Sequence, residues 1–384
     1  MEKKLSTFVG FFFVCSILFV SGCVTERHPS PVIKLGFIGP LTGDGAFWGI
    51  IEKNAIDLAV EEMNANGGIN GKKVLVQYED GKCAGKDALT AARKLVEVEG
   101  VQILLVSCSQ EIIPLASYTE PQRILVLSSY AMSSQISTIG DFVFRNAYSN
   151  RDYARVVAKT INDTSKTVAI VSEETEFAAD LRDLFKKEFF MLGGKIVSDE
   201  NIPAGEKLAG VYVTKMLAQN PEAIFLNPTG PATGIALLKE LRQQRYTGKV
   251  YGNFFAGSKT VQATPDAQDV VFFADPEIPD GIRKAVFLEK YKKKFGQQPD
   301  LEYPAAARYD LMYVLKEAMK TAGENTTPIR DYFYVMKDFD GLLGKYHFDQ
   351  NGDVSGIVPS VKVILSGKPY DFTATSQNFP VLDQ

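Results

Sequence analysis

Apolar and polar positions along this chain follow two periods that take turns. Val32 to Ile38 is a buried-strand run, with Ile33, Leu35, Phe37 and Ile38 apolar. Ile56, Ala59, Val60 and Met63 then recur at helical spacing, and Gly67-Gly68 closes that helix with the positive-φ residue a C-cap prefers. Val74 to Tyr78 reads as the next strand, and Ala88, Ala92, Leu95 and Val96 as the next helix. Ile103 to Val106 and Ile124 to Leu127 follow as strands, with a helix near Ile112 to Tyr118 between them. Strands alternating with helices predict right-handed βαβ units and a parallel sheet.

A second series begins near Asn150. Val156 to Ile161, Phe177 to Leu192, Val211 to Leu217 and Ile235 to Leu241 have helical spacing, while Val168 to Val171, Ile196 to Val197 and Ile224 to Leu226 are strand runs. Later helices are expected over Ile282 to Phe295 and Pro304 to Met319. The tail changes character. Tyr346 to Phe348, a turn at Gln350-Asn351-Gly352, and Val361 to Leu365 read as antiparallel strands. Each βα series is about the size of a domain, which predicts two similar α/β lobes. The 384 residues agree with two domains at about 100–200 residues each, and 45% hydrophobic content supplies real cores.

The start of the chain breaks this pattern. Lys3 and Lys4 precede an almost wholly apolar Phe8 to Val20, and Val20-Ser21-Gly22-Cys23 closes the segment with small residues and a thiol. A charged start, a short apolar stretch and a small-residue site make an export signal over 1–22. The apolar run is shorter than the roughly 20 residues that span a bilayer. Cys23 at the cut resembles the lipobox of bacterial lipoproteins, which implies lipidation of Cys23 and an extracytoplasmic protein held to a membrane. The alternative is a plain secretory signal with a chance cysteine. Residues 23–31, with two prolines, read as a short tether.

Composition narrows the chemistry. Removing residues 1–22 takes away Lys3, Lys4 and Glu2 and leaves 40 basic against 45 acidic residues, so nothing here points to nucleic acid. Only Cys83 and Cys108 remain in the folded body. In an oxidising compartment two such thiols are expected to pair, the alternative being two buried free thiols. The only histidines are His28 in the tether and His347 in an expected strand, so neither a His-based nucleophile nor a zinc site is expected. No catalytic constellation, metal site or cofactor is called for. Asp349 to Asp353 departs from a calcium loop, since Gly352 is fourth and Ser360 twelfth, and a hairpin turn fits better. The glycines of Gly39 to Gly49 lack the Gly-Lys-Ser/Thr of a phosphate-binding loop.

Several segments in order resemble type I periplasmic binding proteins, closest to the leucine/isoleucine/valine-binding branch of ABC-importer receptors. They are Lys34-Leu-Gly-Phe-Ile-Gly-Pro-Leu-Thr-Gly43, Asn64 to Gly71, Tyr78-Glu-Asp80, Ser107-Cys-Ser109 with Pro114, and Phe348 to Asp353. The resemblance runs from about Ile33 to the C-terminus. It implies two doubly wound lobes joined by three crossover strands, closing on a ligand like a hinge. Lobe 1 would be 32–148 plus 279–355, and lobe 2 149–278 plus 356–384. It also implies a small-molecule ligand, docking to an ABC permease, and a monomer as the default.

The loops after the first, third and fourth strands are then the ones to read, because ligands of open α/β sheets bind beyond the carboxyl ends of strands. Trp48, the only tryptophan, falls where the family has an aromatic lining the cleft. Ser109 and Gln110 open a helix, which suits a carboxylate, although Ser109 alone would also serve as a cap. The resemblance pairs Cys108 with Cys83, bracing that loop. In amino-acid binders the loop after the fourth strand ends in a Ser or Thr that holds the ligand's carboxylate and ammonium. Met132 falls at that place with Ser133 next, and Tyr130 takes the position of a small residue. Phe177 falls where the family carries a tyrosine, and Phe254 where it carries an acid for the ammonium. Trp48, Tyr130, Phe177 and Phe254 would form an apolar box suited to an aromatic or apolar acid or amide. Two further uses of the fold stay open, a ligand sensor and a protein-interaction lipoprotein.

Overall fold

The computed structural model describes residues 32–43, 45–357 and 359–372. The export signal, Cys23 and the tether lie outside the described residues.

The first lobe is built on a five-stranded parallel sheet. Its strands are β1 (Val32–Gly39), β2 (Lys73–Asp80), β3 (Ile103–Val106), β4 (Leu125–Ser128) and β5 (Val143–Arg145), in the order β2-β1-β3-β4-β5. α1 (Ala46–Ala65), α2 (Gly85–Arg93) and α3 (Ser109–Thr119) connect them. β3 and β4 are apolar at every inner position and buried throughout, as a strand covered on both faces requires.

The chain then crosses to a second sheet. After α4 (Asn150–Asn162) come β6 (Thr167–Glu173), α5 (Glu176–Met191), β7 (Lys195–Ile202), α6 (Gly210–Leu217), β8 (Ala223–Asn227), α7 (Pro231–Gln243), β9 (Lys249–Gly252), the short α8 (Lys259–Gln262) and β10 (Val271–Ala274). It returns to the first lobe with α9 (Ile282–Phe295) and α10 (Glu302–Ala322), which lie against α1, and α11 (Thr326–Val335). A small antiparallel sheet follows, β11 (Phe339–Gly341), β12 (Gly344–Phe348) and β13 (Val354–Ser355). A third crossing carries β14 (Ser360–Leu365) and β15 (Lys368–Asp371) to the edge of the second sheet, whose order is β15-β14-β10-β9-β8-β6-β7. Two doubly wound lobes with three crossings are therefore the architecture. The tail strands differ from expectation in one respect. Tyr346–Phe348 pairs with β11 and β13, and Val361–Leu365 pairs with β10 and β15, so the two are each antiparallel but sit in different sheets. The turn between β12 and β13 is set by Asp349, whose Oδ1 accepts from the amides of Asn351 and Asp353 at 2.8 and 3.0 Å.

Apolar packing runs through the cleft. One cluster extends from Leu35 and Phe37 in the first lobe through Trp48, Tyr130 and Phe254 to Phe225 and Phe273 in the second. Within the first lobe a buried ion pair fixes the strand ends that carry the site loops. Arg308 on α10 donates Nε to Glu52 Oε2 on α1 at 3.0 Å, and its Nη2 reaches the same oxygen. Nη2 also donates to the Val106 carbonyl at 3.0 Å and Nη1 to that of Leu127 at 3.4 Å. One guanidinium thus ties two helices to the ends of β3 and β4. Burial raises the Glu52 carboxyl above its ordinary value, against the opposing pull of Arg308. Removing one partner leaves a charge buried alone. Arg308→Met should therefore lower unfolding stability by about 3–5 kcal/mol, with much of the loss recovered in the Glu52→Leu/Arg308→Met double variant. Urea unfolding of these two variants and of Glu52→Leu alone checks this, and additive losses would contradict it.

Candidate functional site

The site is made by the loops at the carboxyl ends of β1, β3 and β4 in one lobe and β6, β8 and β9 in the other. α1 can begin close to β1 because residue 49 is glycine. A Cβ there would stand 1.9 Å from the Pro40 carbonyl oxygen. That close approach sets Trp48 on the first turn of α1, with its Nε1 donating to the Thr229 carbonyl of the opposite lobe at 3.1 Å.

The loop after β3 is braced. Cys83 and Cys108 form a disulfide, with Cα atoms 5.4 Å apart. The Glu111 carboxylate accepts from the Cys83 amide at 3.1 Å and the Cys108 amide at 3.0 Å, so it joins both half-cystines to α3. Burial pushes this carboxyl up to about 7, opposed by those amide donors.

The loop after β4 is held from behind by Arg145. Its Nη1 donates to the carbonyls of Ala131 and Ser133 at 2.9 and 2.7 Å, its Nη2 to Ser137 Oγ at 2.9 Å, and its Nε to Asp353 Oδ1 at 2.6 Å. The hairpin discounted as a cation site therefore buttresses the site loop through Asp353.

Four aromatic side chains expected from the sequence meet. The Trp48 and Tyr130 rings stack with centroids 4.9 Å apart, and Phe254 stands edge-on to each at 5.3 Å. Phe177 reaches Phe254 at 4.9 Å. All four are buried. The Tyr130 hydroxyl donates to the Asp275 carboxylate, 2.9 Å from each oxygen, and the Tyr148 hydroxyl reaches Oδ1 at 2.9 Å. Asp275 follows β10 where the chain crosses back, and Tyr148 lies on the first crossing. Burial pushes the Asp275 carboxyl up to about 7, which the two phenol donors oppose.

The expected serines face inward. Ser109 Oγ accepts from the Ser133 amide at 3.1 Å, and Ser133 Oγ donates to Glu176 of the second lobe at 3.2 Å. Next to it, the Ser134 amide and hydroxyl each reach Asp180 at 2.7 Å. An interlobe cavity of about 670 Å³ lies beyond this cluster. Trp48 and Gln110 line it, together with Phe47, Thr175 and the Gly230–Thr233 turn, whereas Ser109, Tyr130, Ser133, Phe177 and Phe254 are not among its lining residues. The first turns of α1, α3 and α7 and the N-cap of α5 all border this space. The positive dipole ends of these helices make it favourable for a negative group. Glu173, also in the lining, is already satisfied, accepting from the amides of Thr229 and Gly205 at 2.6 and 2.8 Å and from Thr233 Oγ1 at 2.7 Å. Lys82, Lys207 and the exposed Glu174 complete its charged lining.

Asp275, Arg145, Glu176 and Asp180 escaped the sequence reading. The available signal for Asp275 was an acid placed directly after the apolar Val270 to Ala274 run, at the end of a strand. The others act through partners distant in sequence.

Comparison with known proteins agrees with this geometry. A family model described as a periplasmic binding protein matches residues 32–359. The chain belongs to that family, and its fold is that of the type I form. It is 27% identical over 340 residues to an amino acid binding protein of Pseudomonas aeruginosa, covering 86% of this chain and 89% of that one. A leucine-, isoleucine-, valine-, threonine- and alanine-binding protein of the same organism is 23% identical, with 87% and 90% covered. Among solved structures, a leucine-binding protein from Thermotoga maritima superposes with a TM-score of 0.80 at 22% identity, covering 89% of this chain and 98% of that one. An ABC-transporter solute-binding protein from R. palustris, solved with benzoate, has a TM-score of 0.80 at 16% identity, with 88% and 95% covered.

The Asp275 carboxyl makes stability depend on pH. Between its ordinary value of 3.8 and about 7, the folded chain holds a proton that the unfolded chain has released. Stability therefore falls as pH rises through that window. Asp275→Asn should make the fall shallower by up to about one proton, while Glu111 and Asp310, raised in the same direction, keep part of it. Urea unfolding at pH 4 to 8 measures the slope, and an unchanged slope would contradict the assignment.

Proposed function

We propose that this protein is the extracytoplasmic solute-binding component of an ABC importer, monomeric and anchored through lipid on Cys23. We propose further that it takes a small molecule with an aromatic or apolar body and an acid or amide group. The observation that carries this reading is the interlobe cavity of about 670 Å³, bordered by four helix N-terminal ends beside Phe47 and Trp48. That volume suits a small organic ligand. The helix ends favour its carboxylate, and the two rings offer stacking for its body. The Glu173 oxygens are already engaged, and the other acid of the lining, Glu174, is exposed, where solvent weakens its pull on an ammonium. Neither metal nor cofactor enters this reading, and binding by lobe closure requires no covalent step.

A second reading, a sensor or protein-interaction lipoprotein without transport, draws on the inner cleft being packed with the protein's own rings.

A thermal-shift screen of the chain from Val24 onward separates the two. Benzoate, phenylacetate, benzamide, leucine and nucleosides form the panel. At a hundred times its dissociation constant a ligand adds about 2.7 kcal/mol to stability. The aromatic acids should raise the melting temperature. A response to leucine alone would contradict the ligand class, and silence across the panel would favour the second reading.

A further inference from the structure

The inner part of the cleft is closed by a single well-anchored side chain. Tyr130 lies against Trp48, Phe254 and Tyr303, with ring centroids 4.9, 5.3 and 6.3 Å away. Its hydroxyl is gripped by both oxygens of Asp275 at 2.9 Å, and Asp275 is itself tied to Tyr148 on the other crossing. Three nearby serine hydroxyls are occupied by the protein, while that of Ser129 is buried without a partner. Ser109 serves the Ser133 amide, Ser133 serves Glu176, and Ser134 serves Asp180. The open space begins at Trp48, which touches Tyr130 and also lines the cavity.

We infer that Tyr130, anchored by Asp275, is a resident plug that fills the inner cleft, and that the ligand binds in the outer chamber bounded by Phe47, Trp48, Gln110 and the Gly230–Thr233 turn. The assignment of the chamber rests on the proposed function, whereas the plug does not. One cleft thus holds an inner position, occupied permanently by a phenol belonging to the chain, and an outer chamber of about 670 Å³. The plug sets specificity by length. A ligand can extend only as far inward as Trp48, so its recognition is confined to the chamber walls.

Phenol itself is the probe for the plug. Tyr130→Ala vacates a space of that shape, with Asp275 ready to accept the hydroxyl. Millimolar phenol should raise the melting temperature of Tyr130→Ala and leave the wild type unmoved, and toluene should bind the variant at least tenfold more weakly. Equal responses of variant and wild type, or no response in a folded variant, would overturn the plug. Trp48 is the sole tryptophan, so its emission gives a second measurement should Tyr130→Ala not fold. Acrylamide quenching should increase in both Tyr130→Phe and Asp275→Asn, and no increase in either would overturn the anchor.

Gly230 tests the chamber. It lines the cavity, its backbone is extended at φ −135° and ψ 166°, and a Cβ there meets open space. Gly230→Phe should weaken benzoate binding at least tenfold, while Ser133→Ala stays within about twofold of wild type. The reverse pattern would overturn the chamber assignment. Failure of benzoate to bind the wild type would sink the ligand reading and the chamber with it, leaving the phenol result to decide the plug alone.

Discussion

A carboxylate placed where the chain crosses between two sheets has to find hydrogen-bond donors or lose its charge. Asp275 stands in that position, and its donors are two phenols, Tyr130 and Tyr148. Much of the site follows from this pairing. With its hydroxyl fixed, the Tyr130 ring has one place to lie, against Trp48. Trp48 is then set to reach across to Thr229 and to meet Phe254 edge-on. The same carboxylate links two of the three crossings, so the groups that shape the cleft also join the segments about which the lobes would turn. Burial raises that carboxyl, which makes the two crossings it joins sensitive to pH in a range where ordinary carboxylates are not.

Two arginines make this arrangement precise from the far side. Arg308 fixes the ends of β3 and β4 to α1 and α10, and Arg145 holds the loop that carries Tyr130. Both are fully buried and surrounded by carbonyl and carboxylate oxygens. A loop supported in this way presents its side chains with little freedom to rearrange, so the cleft is shaped before a ligand arrives. The parallel topology contributes the other half of the chemistry. Strands that end at the cleft are followed by helices that begin there, so the chamber is bordered by the positive dipole ends of several helices.

The alternation of strand and helix was legible because apolar periodicity is local. Ile103–Val106 and the Pro304–Met319 helix fall where the spacing put them, within a few residues. β5 and β9 carry only two adjacent apolar residues each, too few for a run to stand out, and β10 escaped the sequence reading although Val270 to Ala274 is an apolar run. The tail strands were legible as strands but not as members of different sheets, since a turn signal at Gly352 fixes one hairpin and says nothing of where Val361 will dock. The aromatic quartet was recoverable only through the family resemblance. Nothing in the spacing of Trp48, Tyr130, Phe177 and Phe254 brings them together. Asp275 and Glu176 were invisible for a related reason, because their partners stand 145 and 43 residues away. The serines illustrate the limit of a local reading. Ser109 and Ser133 have the right chemistry for a ligand, and the fold turns that chemistry inward.

The central claim is that the protein's own phenol closes the inner cleft and that a ligand stops at Trp48. A crystal structure of the protein grown with an aromatic acid tests it most directly. The account predicts ligand density between Trp48 and the Gly230–Thr233 turn, with the Tyr130 hydroxyl still on Asp275. Density between Ser109 and Phe254, with Tyr130 swung away from Asp275, would contradict it.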